Sequence, residues 1–236
     1  MDTKFLLCAS SRGIELGKIK STILGFYEPI KSDENHRYRS WEHCYRYFAK
    51  TISENDIEHA CLHLAFYLAS WGMYRGSSDL LQKDYLIHKG VVKEIIAYRH
   101  LFGTRFENQD EAVSAILKLI GSIRKHYQNA LFNVDGKKRD KPFNATDTLV
   151  TKILLGTLGC VPAYDQYFVQ GMRAKGIGYS KLSKENLDKV IQFYLDNQDE
   201  IDQAGEIILK SSGIKYPPMK LVDMHFWMLG NPNQRK

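Results

Sequence analysis

Apolar residues recur at steps of three and four along most of this chain, the spacing that gathers them on one face of an α-helix. The clearest run is Asp110 to Leu131, where Val113, Ile116, Leu117, Ile120, Ile123, Tyr127 and Leu131 form one stripe. Asn108 or Asp110 can cap its start. Asp56 to Trp71 repeats the pattern with Ile57, Cys61, Leu64, Leu68 and Trp71. Ala65, Phe66 and Tyr67 make this second run apolar nearly all round, which predicts a helix in the middle of a domain, ended by Gly72 and Gly76. The same spacing predicts helices over Ser40–Thr51, Leu80–Leu101, Thr146–Leu158, Gln166–Ala174, Lys184–Asn197 and Glu200–Ser212. Gly213 suits the position just past the last of these. Tyr216-Pro217-Pro218 breaks the chain before a final helix, Lys220–Leu229. Convincing strand alternation, internal repeats and low-complexity segments are absent, so the fold class is all-α.

The polar loop Asn133–Asn144 (NVDGKKRDKPFN) is the best candidate boundary. It predicts two helical lobes around a cleft: residues 1–132 as an N-terminal lobe and 145–236 as a C-terminal one, joined by 133–144, with the terminal helix crossing back.

Composition changes this picture only modestly. A chain of 236 residues with 44% hydrophobic residues can build a substantial core. Lys and Arg number 33 against 27 Asp and Glu, a net charge of +6 and a pI of about 9.0. That surplus mildly favours a polyanion partner such as nucleic acid. The cysteines, Cys8, Cys44, Cys61 and Cys160, are scattered without a CxxC pair. Phe5-Leu6-Leu7 is too short for a signal-peptide core, and no run approaches the roughly 18 apolar residues of a membrane span. The expectation is a cytoplasmic protein with reduced thiols, with no membrane as partner.

Candidate chemistry centres on LLGTLGCVPAYDQYF, Leu154 to Phe168. A helix ends near Gly159, a short loop follows, and a lone acid, Asp165, stands among Val161, Pro162, Ala163, Tyr164, Tyr167 and Phe168. A carboxylate in apolar company is costly unless it is paired, hydrogen-bonded or doing chemistry. The plain structural reading is a helix N-cap, since Asp is a preferred capping residue.

This layout resembles the helix-hairpin-helix DNA glycosylases, endonuclease III among them, over Thr146 to Arg173. In that family an apolar helix ending near a Gly leads through a short loop to an Asp that opens the following helix. Leu149–Leu158, Gly159, Cys160–Tyr164, Asp165 and Arg173 match in order. The resemblance implies an enzyme that flips a damaged or modified base out of DNA and hydrolyses its N-glycosidic bond, with Asp165 balancing the oxocarbenium-like charge on the sugar. Where the family's hairpin reads close to Leu-Pro-Gly-Val-Gly, this chain has KPFNATDT, with Asn144 or Thr146 as a helix cap. Lyase-competent members carry a Lys just inside the helix after the hairpin. Asp147 stands near that place and Lys152 lies more than a turn further in, which implies excision without a Schiff base.

Two further groups extend this reading. SWGMYRGSS, Ser70 to Ser78, sets Trp71, Tyr74 and Arg75 between two glycines, with Ser77, Ser78 and Gln82 nearby. Rings and a guanidinium at a tight turn suit base stacking and phosphate gripping, with Ser77 and Gln82 reading polar edges. As a capped helix end, the same stretch would simply bury Trp71. Lys137, Lys138, Arg139 and Lys141, together with Lys152, Arg173 and Lys175, are candidate DNA-backbone contacts, or else ordinary solvated charges.

His59 and His63 lie one helical turn apart, the spacing of a zinc-binding pair, but no third ligand is specified. They carry the weaker idea of a metal-dependent hydrolase. No Walker loop and no GxSxG occurs, so the reading calls for neither cofactor nor metal. The expected function is a DNA glycosylase; one setting for it is phage defence, in which removing a modified base spoils invading DNA. The alternative is a non-enzymatic helical protein that binds nucleic acid or a partner protein.

Overall fold

The computed structural model describes residues 19–76, 78–131, 133–134, 137–138 and 143–231. Among them are ten α-helices: α1 (Ile19–Ser32), α2 (Arg39–Ala49), α3 (Ile57–Ser70), α4 (Lys89–Ala97), α5 (Gln109–Ala130), α6 (Asp147–Thr157), α7 (Gln166–Ala174), α8 (Lys184–Asp196), α9 (Gln198–Ser212) and α10 (Pro218–Gly230). The chain is all-α apart from one antiparallel pair of two-residue strands, β1 (Asn133–Val134) and β2 (Lys137–Lys138), inside the segment expected to be a linker. No described helix is long and apolar enough to cross a membrane.

The periodic segments fold as their spacing predicts. Helix α5 buries Val113, Ile116, Ile120, Ile123 and Tyr127 and carries Asp110 and Glu111 in its first turn, where the helix dipole favours negative charge. Helix α3 follows a 3-10 turn opened by a capping box, with Ser53 and Asp56 satisfying each other's backbone N–H groups. Trp71 closes α3 at its C-cap.

Two elements depart from expectation. The continuous helix expected over Leu80–Leu101 is instead two 3-10 turns, Asp79–Gln82 and Tyr85–His88, then α4, then a third turn, Arg99–Leu101. Asp84 is the cause: its extended backbone interrupts the helix, and its side chain caps the next turn by accepting from Leu86 N–H. Helix α1 is not among the elements the spacing predicts, although Ile19, Ile23, Phe26, Tyr27 and Ile30 lie on its buried face. Gly25 and Pro29 interrupt the pattern there and disguise it.

Helix α10 is the keystone. All thirteen of its residues are buried, Lys220, Asp223 and His225 included. It packs on α1, α7, α8 and α9, and α2 and α3 pack on α6. The buried side chains on either side of residues 133–144 therefore belong to one continuous apolar cluster, from Ile19 to Leu229. Against α7 the backbones come so close that a Cβ on Gly171 would overlap the Phe226 carbonyl, and one on Gly230 the Tyr167 carbonyl.

A buried polar chain ties the 79–88 segment to α5. Tyr74 Oη and Tyr127 Oη each lie 2.6 Å from a different ring nitrogen of His88. Burial pushes His88 down to about 3, and burial with Lys175 nearby holds His225 at about 4. The unfolded chain protonates both near 6.5 and the folded chain does not, so stability is lost as pH falls from about 6.5 toward 4. Urea unfolding at pH 7.5 and pH 5 should show a loss of about 2 kcal/mol per histidine at the lower pH.

Candidate active site

The site is built from α6 upward. Thr146 caps this helix by accepting from Leu149 N–H at 3.2 Å. Because α6 is buried on all sides, Lys152 on its second turn is only 3% exposed. The helix ends at Gly159, whose φ of +65° is left-handed and whose position against the Pro217 ring leaves no room for a side chain.

From there the segment Cys160–Tyr164 runs buried and is held from two sides. Tyr164 N–H donates to Thr151 Oγ1 at 2.9 Å, and Thr148 Oγ1 donates to the Tyr164 carbonyl at 2.9 Å. Ala163 N–H donates to Asp223 Oδ1 of α10 at 3.0 Å. A loop this firmly bonded delivers the next residue, Asp165, to a defined place.

Asp165 is the N-cap of α7, as the plain reading expects: its Oδ1 accepts from Phe168 N–H at 3.1 Å. It is also more than a cap. Its Oδ2 accepts from Lys152 Nζ at 2.9 Å, and the carboxylate is part of the lining of a cleft of about 390 Å³. Trp71, Tyr167 and Trp227 form the aromatic lining of that cleft, with Arg37, Arg75 and Thr148 among the polar side chains.

Trp71 is surrounded by cations. Lys152 Nζ lies 4.7 Å from the centre of its ring, Lys220 Nζ 5.6 Å and the Arg37 guanidinium 5.8 Å, while Tyr38 stacks on it at 4.8 Å. Its indole N–H is buried without a hydrogen-bond partner among the described residues. Behind the first ion pair sits a second. Lys220 Nζ is 3.2 Å from Asp223 Oδ2, with the two side chains 3% and 6% exposed. Burial pulls Lys220 down and pushes Asp223 up from their ordinary values, each opposed by the charge of the other.

The structure brings Trp71, Arg75, Lys152 and Asp165 together at one cleft. Lys152, expected as a backbone contact, lies in its buried wall instead, because α6 is enclosed by other helices. Tyr74 does not line the cleft; it turns inward to His88. Gln82 is exposed at the end of its 3-10 turn and lines neither this cleft nor the adjoining cavity of about 460 Å³ beyond Gly72, Met73 and Arg75. Ser78 lines that second cavity. Arg173 and Lys175 are exposed at the far end of α7, about 12 Å along the axis from Asp165. Ser77, Arg139, Lys141 and the side chains of Lys137 and Lys138 lie outside the described residues.

Sequence reasoning named Tyr167 only as a neighbour of Asp165 and passed over Arg37, Trp227, Lys220 and Asp223. A signal for the last two was present: an i, i+3 Lys–Asp pair inside an otherwise apolar helix demands an internal explanation. Of the histidine pair, His59 is exposed and His63 stacks on Tyr47 with ring centres 4.1 Å apart. Among the described residues no three His, Cys, Asp or Glu side chains converge as a metal site.

No family model, no curated protein and no solved structure matches this chain.

Proposed function

We propose that this chain is a DNA N-glycosylase that hydrolyses the bond between a modified or damaged base and its sugar, with Asp165 as the catalytic carboxylate. The observation that carries the reading is the placement of Asp165: fixed by a helix N–H and by Lys152, on a rigid loop, in the lining of an aromatic-walled cleft. A cleft between helices, with Asp165 in it, is also what the glycosylase reading requires. In the reaction the C1′–N bond breaks with its electron pair leaving on the base. Positive charge develops on the sugar, and a preorganised carboxylate stabilises it better than water can. Water then adds to C1′ and releases a proton. Trp71, Tyr167 and Trp227 offer apolar walls for a flipped base, and Arg37 and Arg75 suit the flanking phosphates. Arg173, Lys175 and the 137–139 segment are proposed as outer backbone contacts, weakening with salt.

DNA duplexes carrying different modified bases, incubated with the protein and then treated with alkali, should reveal abasic sites. Asp165→Asn should slow base release at least about 100-fold while DNA binding persists. If that variant releases base at the normal rate, the assignment is wrong. DNA binding without release on any substrate would instead establish the non-enzymatic alternative.

The position of Lys152 favours a second reading of the same site. Once its proton passes to Asp165, 2.9 Å away, the Lys152 amine can attack C1′ as the C1′–N bond to the base breaks; opening of the C1′–O4′ bond and loss of a second proton from nitrogen then leave an imine in place of a hydrated sugar. Borohydride during turnover would then reduce the imine to a stable protein–DNA cross-link that Lys152→Gln cannot form; product without cross-link keeps the hydrolytic reading.

A further inference from the structure

The cleft at Asp165 is not the chain's only built cavity. A groove of about 390 Å³ lies between the end of α2, residues 102–105, and the 213–218 segment that joins α9 to α10. Its volume is in the range of about 300–1,000 Å³ that holds small molecules. We propose that this groove is a ligand site for a small anionic amphiphile: a saturated hydrocarbon body with one carboxylate, sulfonate or phosphate head.

The lining argues for this chemistry by what it offers and what it omits. Arg46, Arg105 and Lys215 are its charged members, and no carboxylate, amide or aliphatic hydroxyl side chain joins them. Arg105 is paired with Asp202, which is not part of the lining. Arg46 and Lys215 are exposed and form no ion pair among the described residues. A head group of negative charge therefore meets, at the rim, two cations without an ion pair among the described residues and no carboxylate in the lining.

The interior is apolar and its polar atoms are largely spoken for. Tyr216 donates its hydroxyl to Glu42 Oε1 at 2.8 Å, and Pro217, Pro218 and Ile214 present only hydrocarbon side chains. A sugar or other polyhydroxyl ligand would find few side-chain partners there, and leaving its hydroxyls unpaired is costly.

A nucleobase is also disfavoured, although rings are present. Tyr45 is sandwiched between Trp41 and Phe102, with ring centres at 4.9 Å and 4.7 Å and planes within 13°. The Arg99 guanidinium sits 5.9 Å from the Phe102 ring. The stack thus occupies its own faces and leaves mainly edges, which suit alkyl packing better than base stacking. The walls are preformed: Gly103 N–H donates to the Leu158 carbonyl at 2.8 Å, and Gly159 presses on Pro217.

Calorimetric titration of the full chain with decanoate, kept below its micellar concentration, tests the assignment. The expected result is saturable one-to-one binding, at least tenfold tighter than for uncharged decanol. Arg46→Glu combined with Lys215→Glu should weaken decanoate at least tenfold, and Ala49→Trp, which blocks the groove sterically, should do the same. Both sets of changes are at exposed positions, so folding is retained. Asp165→Asn should bind decanoate normally, which separates this site from the cleft and makes the result independent of the glycosylase reading. Sedimentation with phosphatidylglycerol vesicles in addition would identify the ligand as a lipid, and decanoate binding without sedimentation a free molecule. Equal affinity for decanol, no effect of the charge reversal, or tighter binding of AMP than of decanoate would each overturn the proposal.

Discussion

Asp223→Leu is expected to destabilise the folded chain by about 3–5 kcal/mol, the cost of leaving a buried charge without its partner. Lys220 is 2% exposed and sits over Phe26 and Trp41 at 4.9 and 5.1 Å as well as beside Trp71. These ring faces attract an ammonium but do not replace a carboxylate. The substitution also removes the acceptor for Ala163 N–H, so the loop that carries Asp165 loses one of its anchors. Lys220→Met in the Asp223→Leu background should recover much of the loss, because a hydrophobic pair of similar volume avoids desolvating two charges. Urea unfolding of the single and double variants measures the coupling directly. Additive losses would show that Lys220 and Asp223 do not act as a pair. The same cycle asks why an apolar core keeps two ions, and the geometry gives an answer: Asp223 positions the peptide two residues before Asp165.

The second large effect is expected at the crossing of α7 and α10. Gly171→Ala and Gly230→Ala each place a methyl group where a carbonyl oxygen already lies, of Phe226 in one case and Tyr167 in the other. Backbone cannot step aside as a flexible side chain can, so the helices must separate. A loss of about 3 kcal/mol or more follows for each, at the severe end of overpacking. Gly121→Ala is the contrasting control. It lies on the exposed side of α5, and apart from its chain neighbours and its own helix backbone nothing lies within 4 Å of the added Cβ. There alanine should stabilise by about 1 kcal/mol through helix propensity. Denaturation midpoints that move together in all three variants would defeat the close-packing argument. Because Asp165 caps α7, Gly171→Ala should also disturb the cleft, and on the proposed glycosylase reading base release should fall even where the chain remains folded.

How much of this was legible beforehand differs from element to element. The stripe on α5 and the all-round apolarity of α3 announce themselves, since burial selects residues at helical spacing regardless of partner. The 79–88 segment misleads because its apolar residues keep that spacing while one side-chain cap, Asp84, diverts the backbone. At the site, the apolar company of Asp165 correctly signals an enclosed carboxylate. The role of Lys152 is not readable, because a lysine on a helix looks like a solvated charge until the helices around it are known. Tyr74 fails for a related reason: a turn has two sides, and the sequence does not tell which side faces the cleft. Arg37 and Trp227 join the site from elements far from Asp165 in the chain, and nothing local links them to it.

One feature of the architecture reaches beyond the finished molecule. Ribosomal synthesis delivers α10 after every helix it packs against, and its contacts with α1 join residues as far apart as Thr22 and His225, 203 positions in sequence. Until residues 218–230 leave the exit tunnel, the sticky flanks of α1, α7 and α9 stand uncovered. The emerging polypeptide is therefore most prone to misassociation before α10 docks, and slow decoding ahead of α10 would lengthen that window.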